Sequence, residues 1–232
     1  MTAHLSARDV EKRARRFDKK FRKHRRLLTD RYGAAVARQI TGDARREYPA
    51  VLRDTPKFAG RGNIFNWAIG ENALIVAFHR AMTAAGKTAD ETIAIAYAVT
   101  ERTYDAQPRV VRSLIRRIMF GRVFFATVRR SARLVGQHPE GWQVEYRQGD
   151  GVTSDWYFAV TECGVLKYYD KFEVPELAPY CNFVDYLQSR ACGFGMQNPT
   201  NLGQGDATCV QLMKRDRETP VPANLEELAG SR

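Results

Sequence analysis

The chain has 232 residues, 44% of them hydrophobic and 11% aromatic, which is enough for one sizeable globular core and excludes a disordered or fibrous class. No apolar run reaches the roughly 18 residues of a membrane span, and the polar, basic beginning does not read as a secretory signal. A cytoplasmic location is therefore expected, with the cysteines at 163, 181, 192 and 209 free rather than paired. The net charge of +11 is uneven: Arg8 to Arg26 holds eleven Lys/Arg against three Asp/Glu. That concentration argues against a nucleic-acid-binding domain, for which no motif is found, and leaves a peripheral anionic surface as a partner for residues 8–26.

Residues 1–30 read as a basic amphipathic N-terminal helix. Val10, Ala14, Phe17, Phe21 and Leu28 form its apolar stripe, which would dock it on the core. A second helix is predicted over 34–48, ending near Tyr48-Pro49, and a Pro/Gly/Asn-rich loop over 54–66. Helical periodicity then runs from Gly70 to Ala85. Thr88 and Glu91 make a capping box for the next helix, Pro108 starts another, and Gly121 breaks or bends it before Phe124–Leu134. After Gly136 the pattern alternates. Residues 142–147 and 156–163 read as a hairpin around Asp150-Gly151, Pro175–Arg190 as a helix, and 191–197 and 207–214 as strands. A short helix is expected at Leu225–Ala229. The expected fold is α+β: a helical part packed on a C-terminal antiparallel sheet with one inserted helix. The catalytic domain spans 31–215, helical over 31–135 and sheet-bearing over 136–215, and 216–232 is a polar tail.

Candidate chemistry lies in the last third. Cys163 follows Glu162 at a strand end. Cys181 and Asp185 are four apart, so on a helix they share a face. Cys209 follows the Gly203-Gln-Gly-Asp206 loop. Free cysteines are most often small buried hydrophobes, and the aromatics Phe65, Trp67, Trp156 and Tyr157 read first as core. His79 reads as a satisfied core histidine. The cysteine intervals lack a Cys-x-x-Cys or a nearby His, which argues against structural zinc, although a metal on Cys163, Cys181 and Cys209 stays open.

Thr161-Glu-Cys-Gly-Val-Leu-Lys-Tyr-Tyr169, Val174-Pro-Glu-Leu-Ala-Pro-Tyr-Cys-Asn-Phe-Val-Asp185 and Gly205-Asp-Ala-Thr-Cys209 together resemble the L-2-amino-thiazoline-4-carboxylic acid hydrolase family. The resemblance covers about the last third of the chain. Its motifs fall on Glu162, Cys163, Lys167, Tyr168, Glu176, Leu177, Cys181, Asp185, Gly205 and Cys209. It implies hydrolytic opening of a small cyclic amidine, with no cofactor. A thiolate from Cys163, Cys181 or Cys209 would attack the amidine carbon, and Asp185 or Glu162 would serve as acid or base. Lys167 would be the cation beside the thiol. Lys167 or Arg190 would anchor a carboxylate, and Tyr168 and Asn182 complete the substrate-binding set.

Two other classes remain in play. One is a non-catalytic small-molecule- or metal-binding module of vinyl-reductase-type sensor fold. The other is an adaptor acting through the basic helix. A homo-oligomer is left open.

Overall fold

The computed structural model describes residues 4–60 and 62–230. Its helices are α1 (Ala7–Ala14), α2 (Phe17–Arg53), α3 (Phe65–Ala84), α4 (Ala89–Asp105), α5 (Arg109–Met119) and α6 (Arg122–Val135). There follow β1 (Gln143–Gln148), β2 (Trp156–Glu162), α7 (Gly164–Lys171), a 3-10 turn (Pro175–Tyr180), α8 (Phe183–Cys192), β3 (Gly195–Thr200), β4 (Cys209–Lys214) and α9 (Glu226–Gly230). The sheet is antiparallel in the order β1-β2-β4-β3, and the fold is α+β as expected.

The basic N-terminal helix does dock by its stripe: Val10, Phe17, Phe21 and Leu28 are buried. It breaks at Arg15-Arg16, however, and the second predicted helix is its continuation. The two parts of α2 meet at Gly33, whose φ of +82° is left-handed and suits only glycine without strain. Pro49 does not end the helix, which runs on to Arg53. The Thr88/Glu91 capping box forms in full, and Gly121 caps α6 in an extended conformation, separating it from α5. One hydrophobic cluster joins the helical part to the sheet-bearing part. The tail is part of the body: Leu225 is fully buried, and the Thr219 hydroxyl accepts the Met196 N–H.

His24 sits in the α2–α3 seam, stacked on Phe21 at 4.7 Å and edge-on to Phe78 at 5.2 Å. Burial, partly offset by the Lys20 carbonyl, pushes it down to about 4 from 6.5. The unfolded chain therefore takes up this proton first as the pH falls. The stability His24 gives by staying neutral is complete above about pH 6.5 and declines as the pH drops toward 4. At pH 4 the loss is about 3 kcal/mol. Urea unfolding at pH 7 and pH 4 should show His24→Leu losing about that much less stability than wild type over this interval; equal losses would remove His24 as the cause.

Candidate active site

The sheet register builds the floor of a cavity of about 430 Å³. Val144 lies opposite Val160, and Val160 opposite Cys209; one step along the same face, Phe158 lies opposite Gln211. Val144, Phe158, Val160, Cys209 and Gln211 all line the cavity. Alternation along the strands dictates this, because residues two apart share a face. Ile64, Phe65, Trp67 and Ala68 from the start of α3, with Ile115 and Met119 from α5, close the apolar side. Phe65 and Trp67 are thus pocket residues, whereas Trp156 is wholly buried core.

The polar end comes from three chain turns. Cys163 is the N-cap residue of α7, a helix not expected from the sequence, and Gly164 follows it. A Cβ on Gly164 would lie 2.6 Å from the Trp142 ring, so only glycine lets α7 start this close to the cavity wall. Cys181 is not in a helix with Asp185, as the sequence pattern predicts. It ends the 3-10 turn that Pro175 and Pro179 favour, and α8 begins after Asn182. Both residues still line the cavity, joined by Asn182 and Gln188. Gly203, also in the lining, packs against the Ala178 carbonyl so closely that no side chain fits, which holds the 202–204 turn against the 175–180 turn.

Cys163, Cys181, Cys209 and Asp185, far apart in sequence, therefore share one cavity. Cys192 does not line it. The Cys181 thiol donates to Asn201 Oδ1 at 3.5 Å, and Asn198 Nδ2 donates to Cys209 Sγ at 3.6 Å. Gln211 Nε2 donates to Asp185 Oδ2 at 3.0 Å. Asn201 Oδ1 also accepts the Gly203 N–H at 2.8 Å, but its buried Nδ2 has no hydrogen-bond partner among the described residues. A buried donor left unpaired costs about 1–3 kcal/mol, so this amide is a ready donor for a ligand oxygen or nitrogen. Asn182 is tied to Asn224, whose Nδ2 donates to Asn182 Oδ1 at 2.9 Å.

Burial governs the electrostatics. It pushes Asp185 above the ordinary carboxyl range, with the Gln211 amide pulling the other way. It raises all three cavity thiols, Cys181 most clearly and Cys209 up to about 11. At Cys163 the backbone N–H groups of Val165 and Leu166, at the start of α7, counter part of the burial effect; at Cys209 the Asn198 amide and the Leu202 N–H do so. Since the thiolate is the reactive form, alkylation of Cys209 by iodoacetamide should accelerate about tenfold per pH unit between pH 7 and 9. Peptide-resolved mass spectrometry measures this; a plateau below pH 9 would contradict the buried, cation-free setting.

Several sequence-nominated residues lie outside the lining. Glu162 pairs with Lys167 at 2.5 Å, and Lys167 also donates to the Pro139 carbonyl at 3.1 Å. The Tyr168 hydroxyl is buried against Thr55 Oγ1 at 2.8 Å. Arg190 holds Glu101 at 2.9 Å and Asp105 at 3.4 Å. Neither expected carboxylate anchor reaches the cavity, and no Lys, Arg or His lines it among the described residues. Glu176 pairs with His79, which is buried and also bonded to Thr92. Among the described residues no group of three or more His, Cys, Asp or Glu has metal-holding geometry, and no helix is long and apolar enough to cross a membrane. No family model, curated protein or solved structure matches the chain.

Proposed function

We propose that this cavity belongs to a thiol-dependent hydrolase that opens a C–N bond of a small cyclic amidine, in keeping with the resemblance to the L-2-amino-thiazoline-4-carboxylic acid hydrolase family. The observation that carries the reading is the meeting of Cys163, Cys181, Cys209 and Asp185 in one largely apolar cavity with few polar groups. Cys163 is the nucleophile, because two successive backbone N–H groups at the start of α7, those of Val165 and Leu166, face its sulfur, against the single Leu202 N–H at Cys209. Asp185 is the proton carrier, since burial favours its protonated form. Asn201 Nδ2 offers a hydrogen bond to the substrate.

The sulfur forms a bond to the amidine carbon while its proton passes to Asp185 and the Asp185 proton passes to the ring nitrogen. The ring C–N bond then breaks as the other amidine nitrogen gives up a proton, which Asp185 carries to the departing nitrogen, and that nitrogen leaves as an amine. Water adds to the resulting thioimidate carbon, and the C–S bond to the enzyme breaks with return of a proton to the sulfur. The net change is addition of one water. Such a neutral exchange of protons suits a cavity without a cation, where a separated thiolate is costly.

The same absence of a cation favours a ring without a carboxylate over the carboxylated thiazoline of the family name. The test is chromatographic: 2-amino-thiazoline and apolar-substituted cyclic amidines are offered to wild type, Cys163→Ala and Asp185→Asn, and ring-opened product is measured. Ring opening by wild type that both substitutions suppress supports the proposal; no opening of any of these rings removes it.

A second reading is a non-catalytic binding module of vinyl-reductase-type sensor fold. The raised thiol pKa values favour it, because resting thiols suit ligand contact as well as attack. Ligand bound without turnover, or metal held tightly by wild type and lost in a Cys163→Ser, Cys181→Ser double variant, would select it.

A further inference from the structure

The segment from Arg109 to Arg133 contains eight arginines and no Asp or Glu. A second basic segment thus matches the first, residues 8–26, in net charge. None of the eight forms an ion pair among the described residues. Arg112 and Arg116 bond to the Ala191 and Gly193 carbonyls at the end of α8, and the other six are exposed.

Apolar side chains on the same element are exposed too. No residue of α5 is buried. Val110, Leu114 and Ile118 follow one another at four-residue steps and are 79%, 54% and 53% exposed; Val123, at the start of α6, is 82% exposed. Such a row is one face of a helix. In α1–α2 the corresponding stripe is consumed by the core, so that basic segment has no apolar face to offer. Trp67, 52% exposed, and Ile118 also line the cavity, so the apolar face runs up to the point where the cavity meets solvent.

We propose that α5 and the start of α6 are a docking surface for an anionic lipid bilayer, with the cavity opening beside it. An amphipathic helix rich in arginine, with its apolar face free, lies in the plane of such an interface, with the apolar face in the acyl boundary and the cations at the headgroups. A second copy of the chain fits poorly, because it would bring two sets of uncompensated arginines together. The apolar lining gives the placement a use: a ligand that partitions into lipid reaches the cavity directly from the bilayer. This inference is independent of the reaction proposed above.

The experiment is flotation of the full chain with vesicles of phosphatidylcholine alone and of phosphatidylcholine mixed with phosphatidylglycerol. Binding is expected to the mixed vesicles only and to be released by salt. Val110→Asp combined with Leu114→Asp should lower binding by roughly tenfold or more, as charge on the inserted face demands. Arg117→Gln and Arg122→Gln should each lower it by about fivefold. These side chains are exposed, so near-UV circular dichroism should stay that of wild type. Failure of wild type to float with mixed vesicles overturns the proposal, as does undiminished binding by the Asp double variant. Loss only on Arg25→Gln, Arg26→Gln would move the surface to α2. A dimer in sedimentation that the Asp double variant dissolves, with vesicle binding untouched, would assign the face to a second copy.

Discussion

Cys163→Ala is expected to lower the rate of ring opening by about a thousandfold or more, the loss usual when a covalent nucleophile is removed. Cys181→Ala and Cys209→Ala should cost about tenfold each by reshaping the polar end of the cavity, and Cys192→Ala, outside the lining, should leave turnover near wild type. This ranking separates the thiols because two backbone N–H groups counter the burial of Cys163 where one, from Leu202, does so at Cys209. Asp185→Asn should cost about a hundredfold, the common range for a proton carrier. Its raised pKa gives the sign of the pH dependence: activity that needs the protonated acid falls as pH rises through that pKa, and Asp185→Asn should remove this fall. Rates from product chromatography, with wild-type circular dichroism as the fold control, decide the matter. A Cys163→Ala variant that keeps a tenth of the rate would take the nucleophile's role from this residue.

Trp156→Ala is expected to destabilise the protein by about 3–5 kcal/mol, the range for deleting a fully buried large aromatic. Trp156 has no exposed surface, and Phe120, Phe124, Phe125, Tyr146 and Phe158 surround it with centroids 5.1–6.1 Å away. These rings join the α5–α6 corner to β1 and β2. Phe124 and Phe158 also line the cavity, so a void at Trp156 should loosen its wall. Trp156→Phe, which keeps most of the ring volume, should cost less than half as much. Urea unfolding measures both; a loss under about 1 kcal/mol for Trp156→Ala would mean that the neighbouring rings collapse into the space.

The helical half was legible because its signals are local. Glu91 sits three residues after Thr88 and Gly121 interrupts a helical pattern, and each gave the element it predicts; the stripe from Val10 to Leu28 is helical as read but is shared between two helices, because the chain breaks at Arg15-Arg16. Pro49 misled because a proline signals a break whether or not tertiary packing overrides it; Tyr48, Val51 and Leu52 on either side are buried, which keeps the helix whole. The sites at Cys163, Cys181, Asp185 and Cys209 could be nominated from their motifs, but which of their neighbours face the cavity could not. Lys167 and Arg190 looked like substrate anchors; Lys167 is instead held by Glu162, five residues before it, and Arg190 by Glu101 and Asp105, which only the tertiary fold brings to it. Gln211 and Asn201 were missed for a different reason. Gln211 faces the cavity through strand alternation two residues after Cys209, a signal present in the sequence. The unpaired amide of Asn201 is a tertiary property with no sequence signature.

The most direct test is intact-protein mass spectrometry of the full chain quenched in acid during incubation with a cyclic amidine. A thioimidate adduct is expected on wild type, mapped by peptide digestion to Cys163 and absent from Cys163→Ala, together with ring-opened product in solution. Product formed at the wild-type rate by a chain lacking Cys163, with no adduct on any cavity thiol, would contradict this expectation.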